Sequence, residues 1–575
     1  MKESTEGLKA PELTGPTGMG TDPPGVGLSL FGDEARAPVM GWGRRPPHLW
    51  IMAIAMRFRN PVISGFYPDP SVCRVGGDFY LVTSTFEYFP GVPIFHSRDL
   101  VHWRQLGHCL SRKSQLELRG CPTSKGIYAP TLRYHDGVFY MITTHMGRGY
   151  GAHFYVTAAD PSGPWSEPVW VEQYGIDPSL FFDDDGRVYF TTNGKADAPN
   201  GLGIYQSEID VKSGRKLTAI QFLWAGTGGM APEGPHLYKV NGSYYLLISE
   251  GGTSYGHMVT VARSQSPWGP FEPAPNNPIL SHRSLGSPIH ATGHADWVEL
   301  EDGSFWAVFL GIRPVSVAGA GAHHLGRETF LGPVTWGADG WPSVNSGEPI
   351  SFEMEGPSCL QTELEGPSPS VLRDPFDTSE LALVWNFVRD PEDTRYSLAE
   401  RPSHLRLWGN ADSLSEPAPA FIGQRQRHLN SQFSAKLDFE PTQEAEEAGI
   451  TVRMSEAHHY EVAVMRSAGE KRLVVRKVVG SLRVIAVDLA VPAGPLLLKL
   501  RSNPTHYFIE AMPAQSGSTD TPLFSVAAET RFLSSEIAGT FTGVYLGLYA
   551  TGNGRPAKSP ADFDWAEYVG DSAAT

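Results

Sequence analysis

The sequence predicts an all-β protein, a five-bladed β-propeller followed by a β-sandwich. The first observation behind this is a motif that recurs down the chain. It reads Asp69-Pro70-Ser71-Val72, Ala129-Pro130-Thr131-Leu132, Asp177-Pro178-Ser179-Leu180 and Glu233-Gly234-Pro235-His236-Leu237, with a weaker fifth copy at His294-Ala295-Asp296-Trp297-Val298. The copies lie about 60, 48, 57 and roughly 60 residues apart, a period that marks a propeller or solenoid. The second observation is that every copy leads through a polar turn into an aromatic strand: Asp78-Phe79-Tyr80-Leu81, Gly137-Val138-Phe139-Tyr140, Gly186-Arg187-Val188-Tyr189, Gly242-Ser243-Tyr244-Tyr245 and Gly303-Ser304-Phe305-Trp306. The third is a change of pattern near residue 350, after which the motif stops and new strands appear with no long amphipathic helix between them.

Taken in order, residues 1–56 are rich in Gly and Pro and lack periodicity, so they read as an extension that is disordered or belongs to an over-extended gene start. The apolar run His48–Met56 is too short to span a bilayer and poorly placed for a signal peptide. The expectation is a cytoplasmic protein, with secretion left open if the N-terminus is misplaced. Residues 57–350 hold the five repeats. Asp136-Gly137, Asp185-Gly186, Asn241-Gly242 and Asp302-Gly303 supply the hairpin turns, because Gly accepts positive φ without a steric penalty. Trp103, Trp165, Trp224, Trp268, Trp306, Trp336 and Trp341 are expected mainly between blades. Residues 351–375, interrupted by Gly356-Pro357, Gly366-Pro367 and Pro369, read as a linker. Residues 376–575 read as the sandwich, with strands around Lys471–Val479, Leu496–Arg501 and Thr542–Tyr549.

A formal charge of -16 argues against nucleic acid or an anionic membrane as partner and leaves a neutral sugar open. The four cysteines, Cys73, Cys109, Cys121 and Cys359, form no CxxC pattern and are expected as buried free thiols. Asp183-Asp184-Asp185-Gly186 reads as a hairpin tip rather than a metal loop.

The chemistry follows from the repeat. Asp69, Asp177 and Glu233 occupy equivalent places in blades one, three and four, while blade two carries Ala129. A radial repeat turns equivalent positions toward one axis, so the three carboxylates should share a pocket. Crowded like charges repel, and one carboxyl then keeps its proton at neutral pH while a neighbour stays ionised. That is the equipment of glycoside hydrolysis, an acid for the leaving oxygen and a second carboxylate for water or for the anomeric carbon.

The chain resembles glycoside hydrolase family 43, in particular its β-xylosidase-like members with a C-terminal β-sandwich of the concanavalin A-like or jelly-roll kind. The match is carried by Asn60–Ser71, Ser84–Ile94, Asp177–Phe181, Pro232–Tyr238, Gly293–Asp296 and Gly326–Phe330, in the family's order. The resemblance implies inversion, with Asp69 as general base, Glu233 as general acid and Asp177 as the carboxylate that orients the acid and tunes its pKa. It further implies a sugar pocket built from Arg327, Phe86, Tyr128, Thr253 and His294, with Phe541 lent by the sandwich. Tyr128 stands where many relatives have tryptophan, which bears on sugar preference. In some relatives the histidine matching His294 contacts a central calcium ion or its waters, so calcium at His294 is an expectation, although no cofactor is required by the chemistry. The activity implied is removal of terminal β-D-xylosyl residues from xylo-oligosaccharides in xylan degradation. Terminal α-L-arabinofuranosyl groups on the same scaffold, or sugar binding without catalysis, are the alternatives. Homo-oligomerisation is left open.

Overall fold

The computed structural model describes residues 57–571 apart from 195–197, 199, 318–319, 358, 361–370, 393, 492 and 515–520. The reading made of residues 1–56 lies outside the described residues. Five antiparallel sheets follow one another along the chain. Their innermost strands are Ser71–Val75, Thr131–His135, Ser179–Phe182, Glu233–Val240 and His290–Glu299. Each recurring motif therefore lies at or beside an innermost strand, in four of the five copies at its start. In the fifth blade the strand begins earlier, at His290, and its pairing shifts register twice before Asp296.

Two of the four turn dipeptides are tight turns with positive φ at both positions, 47° and 80° at Asp136-Gly137 and 50° and 80° at Asn241-Gly242. This backbone follows the right-handed twist of the strands it joins. At Asp185-Gly186 and Asp302-Gly303 only the glycine is positive.

Both faces of a blade pack on neighbouring blades, so strands such as Phe305–Ile312 are buried along their whole length. The interblade cores are separate apolar clusters. One joins blades one and two around Val82, Leu132 and Trp165. Another joins blades two and three around Ile142, Leu180 and Phe190, and a third joins three and four around Leu237, Trp224 and Trp268. Blades four and five meet around Leu247, Phe309, Trp336 and Trp341; five and one meet around Leu81, Val308, Trp306 and Trp103. The seven tryptophans singled out in the sequence thus serve the interblade cores, as does Trp297, while Trp170 is exposed. The ring is fastened by Asn60, whose side chain donates to the Leu331 carbonyl and accepts from the Leu331 amide, both at 2.9 Å.

The sandwich consists of two eight-stranded sheets around one core that includes Leu405, Phe433, Ile450, Tyr507 and Phe563. Two features depart from the sequence reading. The 351–375 segment is not free of regular structure: Glu353–Glu355 pairs with Arg57–Arg59, and Val371–Asp374 pairs with Ala561–Gly570 of the sandwich. The other is that Tyr88–Phe89, a piece of blade one, pairs with Asn386–Val388 and so completes a sandwich sheet. Cys73, Cys109 and Cys121 are buried free thiols, whereas Cys359 is exposed and beside Asp302, contrary to the expectation for that residue. It lies in the same seam, against the Asp302 turn of blade five. No described helix is long and apolar enough to cross a membrane.

Candidate active site

The inner strands bring three acidic side chains to one end of the propeller. Asp69 and Asp177 each stand two residues before an inner strand and adopt left-handed φ of 55° and 53°. Such backbone in a non-glycine residue is strained and persists only where the surroundings fix it. Glu233 opens the inner strand of blade four, ahead of a register shift that contains Gly234 and Pro235.

Asp69 is buried between two donors. Ser84 Oγ donates to its Oδ2 at 2.5 Å and Arg327 Nη1 to its Oδ1 at 2.8 Å, with His294 Nδ1 3.8 Å away. Burial alone raises this carboxyl, but Arg327, His294 and Ser84 together reverse that and hold it below the ordinary carboxylate range. Asp177 has the opposite balance. Burial, with the charges of Glu233 and Asp69 added, outweighs the attraction of His294 and pushes it up to about 7. Its Oδ2 accepts the Gly234 amide at 3.2 Å, which ties it to the residue after Glu233. Glu233 is partly exposed, and its Oε1 lies 3.4 Å from Nε2 of the fully buried His257.

Arg327 organises the remaining wall. Besides Asp69, Nη1 donates to Thr253 Oγ1 at 3.0 Å and Nη2 to the Phe541 carbonyl at 3.3 Å. Its guanidinium carbon lies 5.5 Å from the Phe86 ring and 5.9 Å from the Phe541 ring. Phe86 in turn meets Tyr128 at 5.1 Å and Phe541 at 6.1 Å between centroids. The backbone behind this group is stitched together, since Tyr67 N donates to Arg327 O and Gly65 N to Glu328, which is itself clamped by Arg313. Phe541 comes from the sandwich and is fixed by its amide, which donates to Ser124 Oγ of the propeller at 2.9 Å. The short helix before it, Ser535–Ala538, is anchored by Glu536 to His323 and Tyr255.

All nine site residues named from the sequence, Asp69, Asp177, Glu233, Phe86, Tyr128, Thr253, His294, Arg327 and Phe541, fall in one connected group. Sequence reading missed Ser84, Ser124 and His257. Ser84 lay inside a stretch already singled out, and its hydroxyl was the available signal.

The described side chains that face His294 offer calcium few direct oxygen ligands. Calcium takes six to eight oxygen ligands, and His294 faces Asp69, whose Oδ1 and Oδ2 are already taken by Arg327 and Ser84. His236, an electrostatic neighbour of His294, accepts from the Arg133 guanidinium at 2.9 Å. Arg133 also pairs with Asp296 at 2.8 Å and reaches Ser71 and the Leu132 carbonyl. A tethered guanidinium thus supplies positive charge at the axis. Among the described residues no group of three His, Cys, Asp or Glu side chains is placed to hold a metal ion.

A propeller with three acidic side chains at one mouth, walled by arginine and aromatic rings, defines a glycoside hydrolase. The chain belongs to glycosyl hydrolases family 43: that family's profile matches residues 58–342, and the β-xylosidase C-terminal concanavalin A-like domain matches residues 373–569. It is 45% identical over 530 residues to a non-reducing end alpha-L-arabinofuranosidase of Bacteroides ovatus, covering 90% of this chain and 97% of that one. A xylosidase/arabinosidase of Butyrivibrio fibrisolvens is 38% identical, with 88% and 98% covered. Among solved structures, a xylan beta-1,4-xylosidase from Bacillus halodurans superimposes with a TM-score of 0.83 at 34% identity, covering 89% of this chain and 100% of that one.

Proposed function

We propose that this chain is an inverting exo-glycosidase that removes single terminal β-D-xylosyl residues from xylo-oligosaccharides. The observation that carries the reading is the opposed electrostatics of Asp69 and Asp177 beside the partly exposed Glu233. Asp69, held ionised by Arg327, takes a proton from the attacking water as that water's oxygen bonds to the anomeric carbon. Glu233 delivers its proton to the departing oxygen as the glycosidic bond breaks. Asp177 reaches the backbone next to Glu233 and orients the acid. Arg327, whose Nε is buried with no protein acceptor among the described residues, holds a sugar hydroxyl. Phe86, Tyr128 and Phe541 enclose one ring, which makes the cleavage exo. No step needs a metal.

A second reading, removal of terminal α-L-arabinofuranosyl groups, is favoured by the 45% identical relative named for that activity. Initial rates on the two nitrophenyl glycosides decide between them; dominant arabinoside turnover replaces the first reading by the second. Proton NMR of the first sugar released, with inverted anomeric configuration expected, tests the mechanism. Glu233→Gln is expected to lower kcat on the oligosaccharide by about 100-fold or more while sugar binding persists. Undiminished turnover overturns the acid assignment.

A further inference from the structure

His257 has a place in this site that the acid–base scheme does not use. Its side chain is fully buried, and neither ring nitrogen has a hydrogen-bond partner among the described residues. A core position that needed only volume is better filled by an apolar side chain, because an unpaired buried donor is unfavourable. Glu233 Oε1, a carboxylate acceptor, stands 3.4 Å from Nε2. Catalytic hydrogen bonds are often long or poorly aligned in a ligand-free site and tighten in the substrate complex.

The ring is also held rigidly. A Cβ on Gly293 would stand 2.5 Å from three atoms of the His257 ring, so the imidazole lies flat against that glycine. A Cβ on Gly234 would meet three atoms of the His294 ring at 3.1 to 3.2 Å. Glu233-Gly234 and Gly293-His294 therefore interlock, with one imidazole against each glycine. His257 closes a compact turn: its amide donates to Ser254 O, and Gly251 lies against the Gly256 carbonyl. The same turn presents Thr253 to Arg327, so one loop addresses both the arginine and the acid.

We propose that His257 is a positioning residue for Glu233: it donates Nε2–H to Oε1 and leaves Oε2 to carry the proton that goes to the departing oxygen. The imidazole keeps its own proton, and the balance of the hydrolysis is unchanged. The inference rests on Glu233 as the acid, and the experiment separates the two.

Three variants, His257→Leu, His257→Gln and Glu233→Ala, are assayed on an oligosaccharide and on the dinitrophenyl glycoside of the same sugar, whose leaving group departs without protonation. Glu233→Ala is the reference and should lose far more on the oligosaccharide. His257→Leu is expected to lower kcat on the oligosaccharide by about 10-fold or more, with KM and dinitrophenyl turnover little changed. His257→Gln, whose side-chain N–H reaches the Nε2 position, should restore most of the loss. Equal losses on both substrates for His257→Leu, or none, overturn the inference while leaving the acid in place. Equal losses for Glu233→Ala overturn the acid and the inference with it. If the leucine variant does not fold, His257→Asn, whose amide falls short of Oε1, takes its place against His257→Gln with the same expectations.

Discussion

Burial acts on Asp69 and Asp177 in the same direction, and the sign of each outcome is set by the neighbours. Arg327 and Ser84 turn Asp69 into a stable anion, whereas Asp177 accepts one backbone amide among the described residues and faces two other carboxylates. A carboxyl raised in the folded state stabilises the fold below its unfolded pKa, and that contribution is lost as pH rises through the folded value. For Asp177 the loss runs from about pH 4, the ordinary aspartate value, to about 7. Asp177→Asn removes the ionisation and keeps the shape. It is therefore expected to unfold at a higher temperature than the parent near neutral pH, by up to about 4 kcal/mol of stability, with the difference closing towards pH 4. Thermal scans at three pH values measure this; a gap that widens as pH falls contradicts it. Activity should fall in the same variant, because Asp177 is the carboxyl proposed to orient Glu233. Asp69, Asp177 and Glu233 were legible in the sequence because a repeat placed them in equivalent positions. Arg327, Phe86, Tyr128, Thr253, His294 and Phe541 were legible only through resemblance. His257 and Ser124 carry no repeat and lie in turns whose partners are set by tertiary contact.

At the scale of elements, each blade is one continuous run of chain, so nothing in strand pairing within a blade closes the ring. Closure falls to side chains and to short strands such as Arg57–Arg59 with Glu353–Glu355, three residues each and too brief to show a period. That is why the 351–375 segment read as bare linker. Asn60 is the central clasp: it occupies both the amide and the carbonyl of Leu331 in a buried setting. Asn60→Ala leaves both backbone groups without that partner, each worth about 1–3 kcal/mol. The variant is expected to lose about 2–6 kcal/mol in denaturant unfolding, with no change in KM for the enzyme that remains folded. Asp183 makes a similar tie between blades three and four, accepting from Lys239 Nζ at 2.9 Å and Tyr244 OH at 2.6 Å. The acidic run read as a hairpin tip is one, and its first residue also fastens the next blade.

For the molecule as a whole, the propeller and the sandwich are joined through hydrogen-bonded sheet and through the catalytic mouth. Tyr88–Phe89 extends a sandwich sheet, and Tyr88 stacks on Tyr545 at 3.8 Å between centroids. Phe66 and Phe86 of the propeller share one apolar cluster with Phe421, Tyr545 and Tyr549 of the sandwich. This shared floor places the loop that carries Phe541, whose side chain is 40% exposed and reaches Arg327 and Phe86. A phenylalanine this exposed has apolar surface left to bury, and the proposed function places the terminal sugar against it. Phe541→Ala is therefore expected to leave the unfolding temperature within a few degrees of the parent and to raise KM for the terminal sugar by roughly 10-fold, the order of one buried aromatic contact. Ser124→Ala releases the Phe541 amide and should move KM in the same direction by less. If Phe541→Ala lowers the unfolding temperature sharply while KM stays fixed, Phe541 is part of the interdomain core, and the sandwich shapes the pocket only by bracing the propeller loops beneath it.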